Sequence, residues 1–304
     1  MADLNLKIAE VNFKNPVIAA SGTYGFGYEY NQLFPLDLLG GISCKGTTLF
    51  ERPGNAPPRI VETASGILNS VGLQNPGVDS FIENNLPWLK SHNTVVISNI
   101  AGSTIDEYCK VAERLNDSSI DMVELNISCP NVKAGGMSFG TSCSGVENIT
   151  KQIRKVCKKP LIVKLSPNVS DITEIALSAE SAGADALSMI NTITGMKIDI
   201  HSRRPLLKNN TGGLSGPAIL PIAVRMVWQV FQKVKIPIIG MGGISSWQDA
   251  IEIMLAGAAA VQIGTSNFTD AFTPLKVIEG IDNYMVENKL SSLKDIIGKV
   301  DAWE

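Results

Sequence analysis

Short runs of apolar and β-branched residues recur along the chain: PVIAAS from Pro16, GISCKG from Gly41, VVISNIA from Val95 and MVELNIS from Met122. Four more follow, LIVKLS from Leu161, ALSMINT from Ala186, IPIIGMGG from Ile236 and AVQIGTS from Ala260. Such runs carry little polar alternation, so each strand needs apolar cover on both faces, as strands of a parallel sheet do. Between them, ITEIALSAESAGADAL and SWQDAIEIMLAGAAAV place apolar residues at helical spacing and end in Ala-Gly-Ala, where the glycine suits a helix C-cap. Eight strand–helix units predict a closed α/β architecture, a (β/α)8 TIM barrel, in one domain spanning 1–304.

Two further features refine that architecture. The opening LNLKIAEVNFKN alternates apolar and polar residues around Ala9-Glu10, which predicts an N-terminal β-hairpin closing the bottom of the barrel. Strand starts lie roughly 25 residues apart in the tight units and much farther apart after strands two, four and six. The excess forms loop insertions, Thr47 to His92, Cys129 to Gly145 and Thr192 to Pro217, on the C-terminal face, where barrels carry their active sites. These insertions are expected to cover a substrate.

Composition adds limits. With 304 residues, 44% hydrophobic and 18% charged, the chain can bury a large closed core. A net charge of -3 without a Lys/Arg run gives no electrostatic reason to expect nucleic acid or an anionic membrane as partner. No segment approaches about 18 uninterrupted apolar residues, and no signal-like stretch opens the chain, so a cytoplasmic location is expected. The five cysteines are scattered and form no CxxC pair, which suits a reducing compartment and disfavours a zinc site.

Candidate chemistry gathers at the C-terminal ends of the strands. GMGGISS and IGTS end strands seven and eight, and Gly242, Gly243, Gly264 and Thr265 offer backbone N–H groups that a phosphate can approach; taken singly, each is also a tight turn. Lys45 and Lys164 stand at strand ends among apolar neighbours, where an unpaired ammonium is costly. Either is structural, or serves a phosphorylated aromatic cofactor that gains negative charge on reduction. Asn69, Asn99, Asn126, Asn131 and Asn191 recur at the same face. One alone would be a turn residue; together they suit the amide and imide edges of a pyrimidine-like ring.

Cys129, between Ser128 and Pro130 just past strand four, is either a small residue or a general base, since a free thiol titrates near about 8.5. Cys44 falls in strand two, Cys109 and Cys157 fall on helices, and Cys143, in GTSCSG, reads as flexible polar cover. His92 precedes strand three on the opposite face and His201 lies in the loop after strand six. Neither has a triad context, which disfavours hydrolase chemistry.

SGTYGFG, SCKGTTLFERPGNAPPRIVE, ILNSVGLQNPG, ELNISCPN, VKLSPN, INT, GGLSGPAI, GMGGI and IGT together resemble class 1 dihydroorotate dehydrogenases, through nearly the whole chain. The resemblance implies an FMN enzyme that oxidises (S)-dihydroorotate to orotate in de novo UMP synthesis. Cys129 would remove the C5 proton while hydride passes from C6 to FMN. Lys45, Asn69, Asn126, Asn131, Asn191 and Thr192, with the backbone of Ser70, Val71, Gly72 and Leu73, would hold the substrate. Ser21, Lys45, Gly46, Asn99, Asn126, Lys164, Ile190, Gly216, Gly242, Gly243, Gly264 and Thr265 would hold FMN.

Within that family, the membrane quinone-linked form carries an N-terminal helical extension and a serine base, and this chain has neither. The stretch from Thr47 to Gly77 and the tail GIDNYMVENK resemble the NAD-linked (type 1B) catalytic subunit more than the fumarate-linked homodimer. The chain has neither clustered cysteines nor a dinucleotide GxGxxG, so NAD+ would act through a partner subunit bearing FAD and a [2Fe-2S] cluster. The implied assembly is a homodimer of this chain with two such partners. The remaining rivals are an FMN barrel acting on another dihydropyrimidine and a phosphosugar isomerase or lyase barrel, which would need no flavin.

Overall fold

The computed structural model describes residues 2–127 and 139–303. In chain order its strands are β1 (Leu6–Ile8), β2 (Val11–Phe13), β3 (Val17–Ala19), β4 (Gly41–Ser43), β5 (Ile60–Thr63), β6 (Gly66–Asn69), β7 (Val95–Ile100) and β8 (Met122–Asn126). After these come β9 (Leu161–Lys164), β10 (Ala186–Met189), β11 (Ile193–Gly195), β12 (Ile198–Asp199), β13 (Arg204–Pro205), β14 (Gly212–Ser215), β15 (Ile238–Met241) and β16 (Ala258–Ile263). The eight apolar runs read from the sequence supply β3, β4, β7, β8, β9, β10, β15 and β16, which close into one barrel. Every described pairing around it is parallel.

Helices run between the barrel strands, and their apolar stripes pack outside them. In the helix Ile105–Asn116, Tyr108, Val111, Ala112 and Leu115 are buried at helical spacing, and Thr104 caps its start by accepting from Glu107 N. The helix Trp247–Ala256 begins in a capping box between Ser246 and Asp249 and ends at Gly257, as its AGA motif predicts. The hairpin is also as expected: β1 pairs with β2 antiparallel, and Ala9 and Glu10 both take positive φ at its tip.

Strand periodicity divides the barrel interior into layers. Ile8 and Phe13 of the hairpin plug its lower end, packing in one cluster with Ile18, Ile97, Met122, Ile162, Ala186, Ile239 and Ala260. Two residues farther along the same strands, on the same face, stand Asn99, Glu124, Lys164, Ser188 and Gln262, all buried. The interior therefore turns from apolar to polar toward the C-terminal ends of the strands.

The insertions after β4 and β10 fold together as a four-stranded antiparallel sheet, ordered β11-β14-β6-β5. They are more regular than the loop cover expected of them, because each supplies strands whose backbone groups the other satisfies: Asn69 on β6 lies opposite both Gly213 and Ile60. Cys143 departs from its expected place in polar loop cover. It is the first residue of the 14-residue helix Cys143–Val156, capped by Ser142, and is partly buried against the core. Among the described residues no helix is long and apolar enough to cross a membrane, and no cluster of His, Cys, Asp or Glu has metal-site geometry.

Candidate active site

The polar upper layer centres on Glu124, whose carboxylate is fully buried on β8. Its Oε1 accepts from Ser188 Oγ at 2.7 Å and Gln262 Nε2 at 2.8 Å, and its Oε2 from Ser43 Oγ at 2.8 Å and Asn99 Nδ2 at 2.5 Å. Strands β4, β7, β10 and β16 thus each direct one donor at one anion. Burial alone would push the carboxyl up, yet the Lys164 charge and the hydrogen bonds from Ser188, Asn99 and Gln262 hold it below the usual carboxylate range.

Above this layer the asparagines form a relay. Asn126 Nδ2 approaches Asn99 Oδ1 at 3.4 Å, and Asn191 Nδ2 approaches Asn126 Oδ1 at 3.5 Å. Tyr108 Oη, from the flanking helix, holds the Asn126 carbonyl at 2.7 Å, and Thr192 N donates to Asn191 Oδ1 at 2.8 Å. Lys164 ends β9 beside them, opposite Asn126 on one side and Ser188 on the other, and is only 5% exposed.

Lys45 comes after β4 and is partly buried. Burial pushes its ammonium below the ordinary lysine range, and the nearby Arg59 charge pushes it the same way. Among the described residues no acceptor lies within hydrogen-bond or ion-pair reach of its Nζ. A cation so placed is suited to an anionic ligand. Next to it, a Cβ on Gly46 would lie 3.1 Å from Asn99 Oδ1 and 3.3 Å from Leu73 Cδ2, so Gly46, Asn99 and Leu73 line one spot.

The segment from Ser70 to Leu73 is tied down by its neighbours: Ser70 N donates to Arg59 O, Asn55 N to Val71 O, and Asn55 Nδ2 to Ser70 O at 2.7 Å. Gly72 and Leu73 both take positive φ, and buried Asn75 pins the chain on either side of itself, donating to Leu73 O and accepting from Thr48 N and Gly77 N. Ser70 Oγ is buried and meets no hydrogen-bond partner among the described residues. Asn69 Nδ2 lies 3.5 Å from Gly213 O, and Gly213 itself packs against Thr192. The cover sheet therefore joins Asn69 and Thr192 at one place.

The glycine turns lie at the ends of β15 and β16. Thr265 Oγ1 and Ser215 Oγ are 2.8 Å apart, which links the β16 turn to Gly216 at the end of β14. The β15 turn packs on Ile190, 3.2 Å from where a Gly242 Cβ would stand. Among the described residues, the backbone N–H groups of Gly242, Gly243, Gly264 and Thr265 meet no acceptor. Ser21 lies just past β3, whose end is tied to β16 through Ala20 N and Ile263 O at 2.8 Å.

Of the residues read as a site from the sequence, Cys129 and Asn131 lie outside the described residues. The others gather at the C-terminal mouth. Cys44 is no rival nucleophile, since full burial pushes its thiol well up. His92 is on the far face as expected, its Nδ1 2.8 Å from Asp37 Oδ2. Sequence reasoning overlooked Glu124 with Ser43, Ser188 and Gln262, although polar residues inside otherwise apolar runs were a visible signal.

The dihydroorotate dehydrogenase family model matches residues 3–285 of this chain. The chain is 55% identical over 298 residues, 98% of its length and 99% of the relative's, to the dihydroorotate dehydrogenase B (NAD(+)) catalytic subunit of Petrotoga mobilis. It is 54% identical over 303 residues, 99% and 100% of the two lengths, to the protein of that name from Bacteroides thetaiotaomicron. With that of Alkaliphilus oremlandii it shares 53% identity over 298 residues, 98% and 99% of the two lengths. The chain therefore belongs to the dihydroorotate dehydrogenase family.

Proposed function

We propose that this chain is the catalytic subunit of an NAD-linked dihydroorotate dehydrogenase, oxidising (S)-dihydroorotate to orotate in pyrimidine synthesis. The observation that carries the reading is the mouth itself, where an amide relay, with an ammonium and glycine N–H groups that meet no acceptor among the described residues, stands over a polar barrel interior. A planar imide ring with a carboxylate, beside a phosphorylated flavin, matches that set of donors and acceptors.

FMN fits what the residues offer: N–H groups at Gly242, Gly243, Gly264 and Thr265, unengaged among the described residues, for its phosphate, and buried Lys164 and Asn99 for its ring. When bound, it supplies the acceptor for the hydride leaving C6 of dihydroorotate. The chain's own work is positioning and proton transfer. Lys45 binds the substrate carboxylate, and Asn69, Asn126, Asn131, Asn191 and Thr192 hold the ring edges. The backbone of Ser70 to Leu73 closes over it, and Cys129 takes the C5 proton. FMN is further held by Ser21, Gly46, Ile190 and Gly216.

The electrons leave through a second subunit carrying FAD and a [2Fe-2S] cluster, in an assembly of a homodimer of this chain with two such partners. Anaerobic mixing of the yellow protein with dihydroorotate tests the reading: the flavin absorbance bleaches. Colourless protein, or colour that persists, refutes it. Co-purification of a red-brown iron-sulfur protein tests the partner.

A further inference from the structure

Substrate binding and proton transfer leave unused the most deeply buried charge in the barrel. Glu124 sits in the same buried layer as Asn99 and Lys164, and all four acceptor positions of its carboxylate are filled by Ser43, Asn99, Ser188 and Gln262. A buried ion costs several kcal/mol even after relaxation, a cost that the four donors around Glu124 offset. What the anion touches is informative: through Asn99 it reaches the amide relay, and the charge that acts on it is that of Lys164.

We propose that Glu124 is a positioning residue for the flavin. It commits the Asn99 amide N–H inward so that Asn99 Oδ1 faces the mouth, and it offsets the Lys164 charge that favours the reduced ring. The inference rests on the reading that FMN occupies the mouth. A negative charge near the ring opposes the addition of negative charge to it, as the Lys164 charge favours that addition. The buried pair would then set the balance between taking hydride from the substrate and passing electrons onward.

The geometry provides a variant that removes charge with little disturbance. In Glu124→Gln the new amide NH2 turns toward Gln262, whose Oε1 is buried without a partner among the described residues, and a flip of the Gln262 amide then accepts it. Ser188 rotates its hydroxyl, and Asn99 keeps its bond. The test is the midpoint potential of bound flavin in the full chain loaded with FMN. Removing the Glu124 charge shifts the potential upward, and Lys164→Gln shifts it downward; an unchanged or lowered potential in Glu124→Gln overturns the inference.

If Glu124→Gln alone does not fold, the paired variant Glu124→Gln/Lys164→Gln is compared with Lys164→Gln, and its potential is again the higher one. Equal potentials would reduce Glu124 to a structural role. Wild-type chain that retains no flavin refutes the proposed function instead, so the two failures are distinguishable.

Discussion

Asn99 stands directly opposite Glu124 in the β7–β8 register and donates its amide to that carboxylate across 2.5 Å, leaving its Oδ1 to face Asn126 at 3.4 Å. An asparagine is indifferent to which way its amide points until a charged partner decides. Here an anion decides it, and the same anion ties four strands of the barrel to its own.

That arrangement has a pH signature. Because the folded carboxyl of Glu124 is depressed, the stability it contributes is fully present above its unfolded value of about 4.3 and is lost as pH falls through the lower folded value. Glu124→Gln therefore shows a shallower loss of thermal stability in the acid range below about 4.3 than the wild type. Parallel melting curves across that range would show that the carboxyl is not depressed.

Lys45 carries a second pH dependence. Its pKa lies below the ordinary lysine value of about 10.4, so the cation that holds the substrate carboxylate is lost earlier on the alkaline side. The KM for dihydroorotate rises with pH there before kcat falls. Lys45→Met raises KM on the order of tenfold or more, the effect of losing one charged hydrogen bond of about 1.5–3 kcal/mol. Unchanged KM in steady-state assays removes Lys45 from substrate binding.

The phosphate turns separate ligand effects from fold effects. A Cβ at Gly264 would meet nothing nearer than Ala20 Cβ at 3.7 Å and Thr23 Cγ2 at 3.8 Å, so Gly264→Ala keeps wild-type stability while losing affinity for FMN. At Gly243, with φ of +82°, a Cβ would come within 2.6 Å of the Leu220 backbone, so Gly243→Ala loses both. Melting temperature and flavin titration of the apoprotein distinguish the two outcomes. Full FMN affinity in Gly264→Ala places the phosphate elsewhere.

Cys129, which lies outside the described residues, is tested by kinetics. Cys129→Ser retains FMN and orotate but reduces its flavin on the order of 10²–10⁴-fold more slowly at neutral pH, because a hydroxyl is a far poorer base than a thiol. Equal stopped-flow rates in the two proteins exclude the assigned role.

Buried asparagine Asn75 offers a further check on the substrate segment. It accepts from Thr48 N and Gly77 N and donates to Leu73 O, so Asn75→Ala leaves buried groups unpaired, each costing about 1–3 kcal/mol. Stability falls, and KM rises because the Ser70 to Leu73 backbone loses its anchor. Wild-type KM in a destabilised variant would detach this segment from substrate binding.

How much of the molecule was legible in the chain depends on the range of each interaction. The eight strands, the hairpin at Ala9-Glu10 and the helix ends were readable because periodicity, turn residues and caps act within a few residues of sequence. The mouth as the place of chemistry was readable too, since a parallel barrel puts every strand end, and hence Lys45, Asn126 and Lys164, on one face. The cover sheet was not readable, because β6 pairs with β14 across more than a hundred residues and neither run alternates strongly. Nor was the anion at the centre. Ser43, Asn99, Ser188 and Gln262 are polar residues in separate apolar runs, and only closure of the barrel, which fixes the register of each strand against the next, brings their donors to the Glu124 carboxylate.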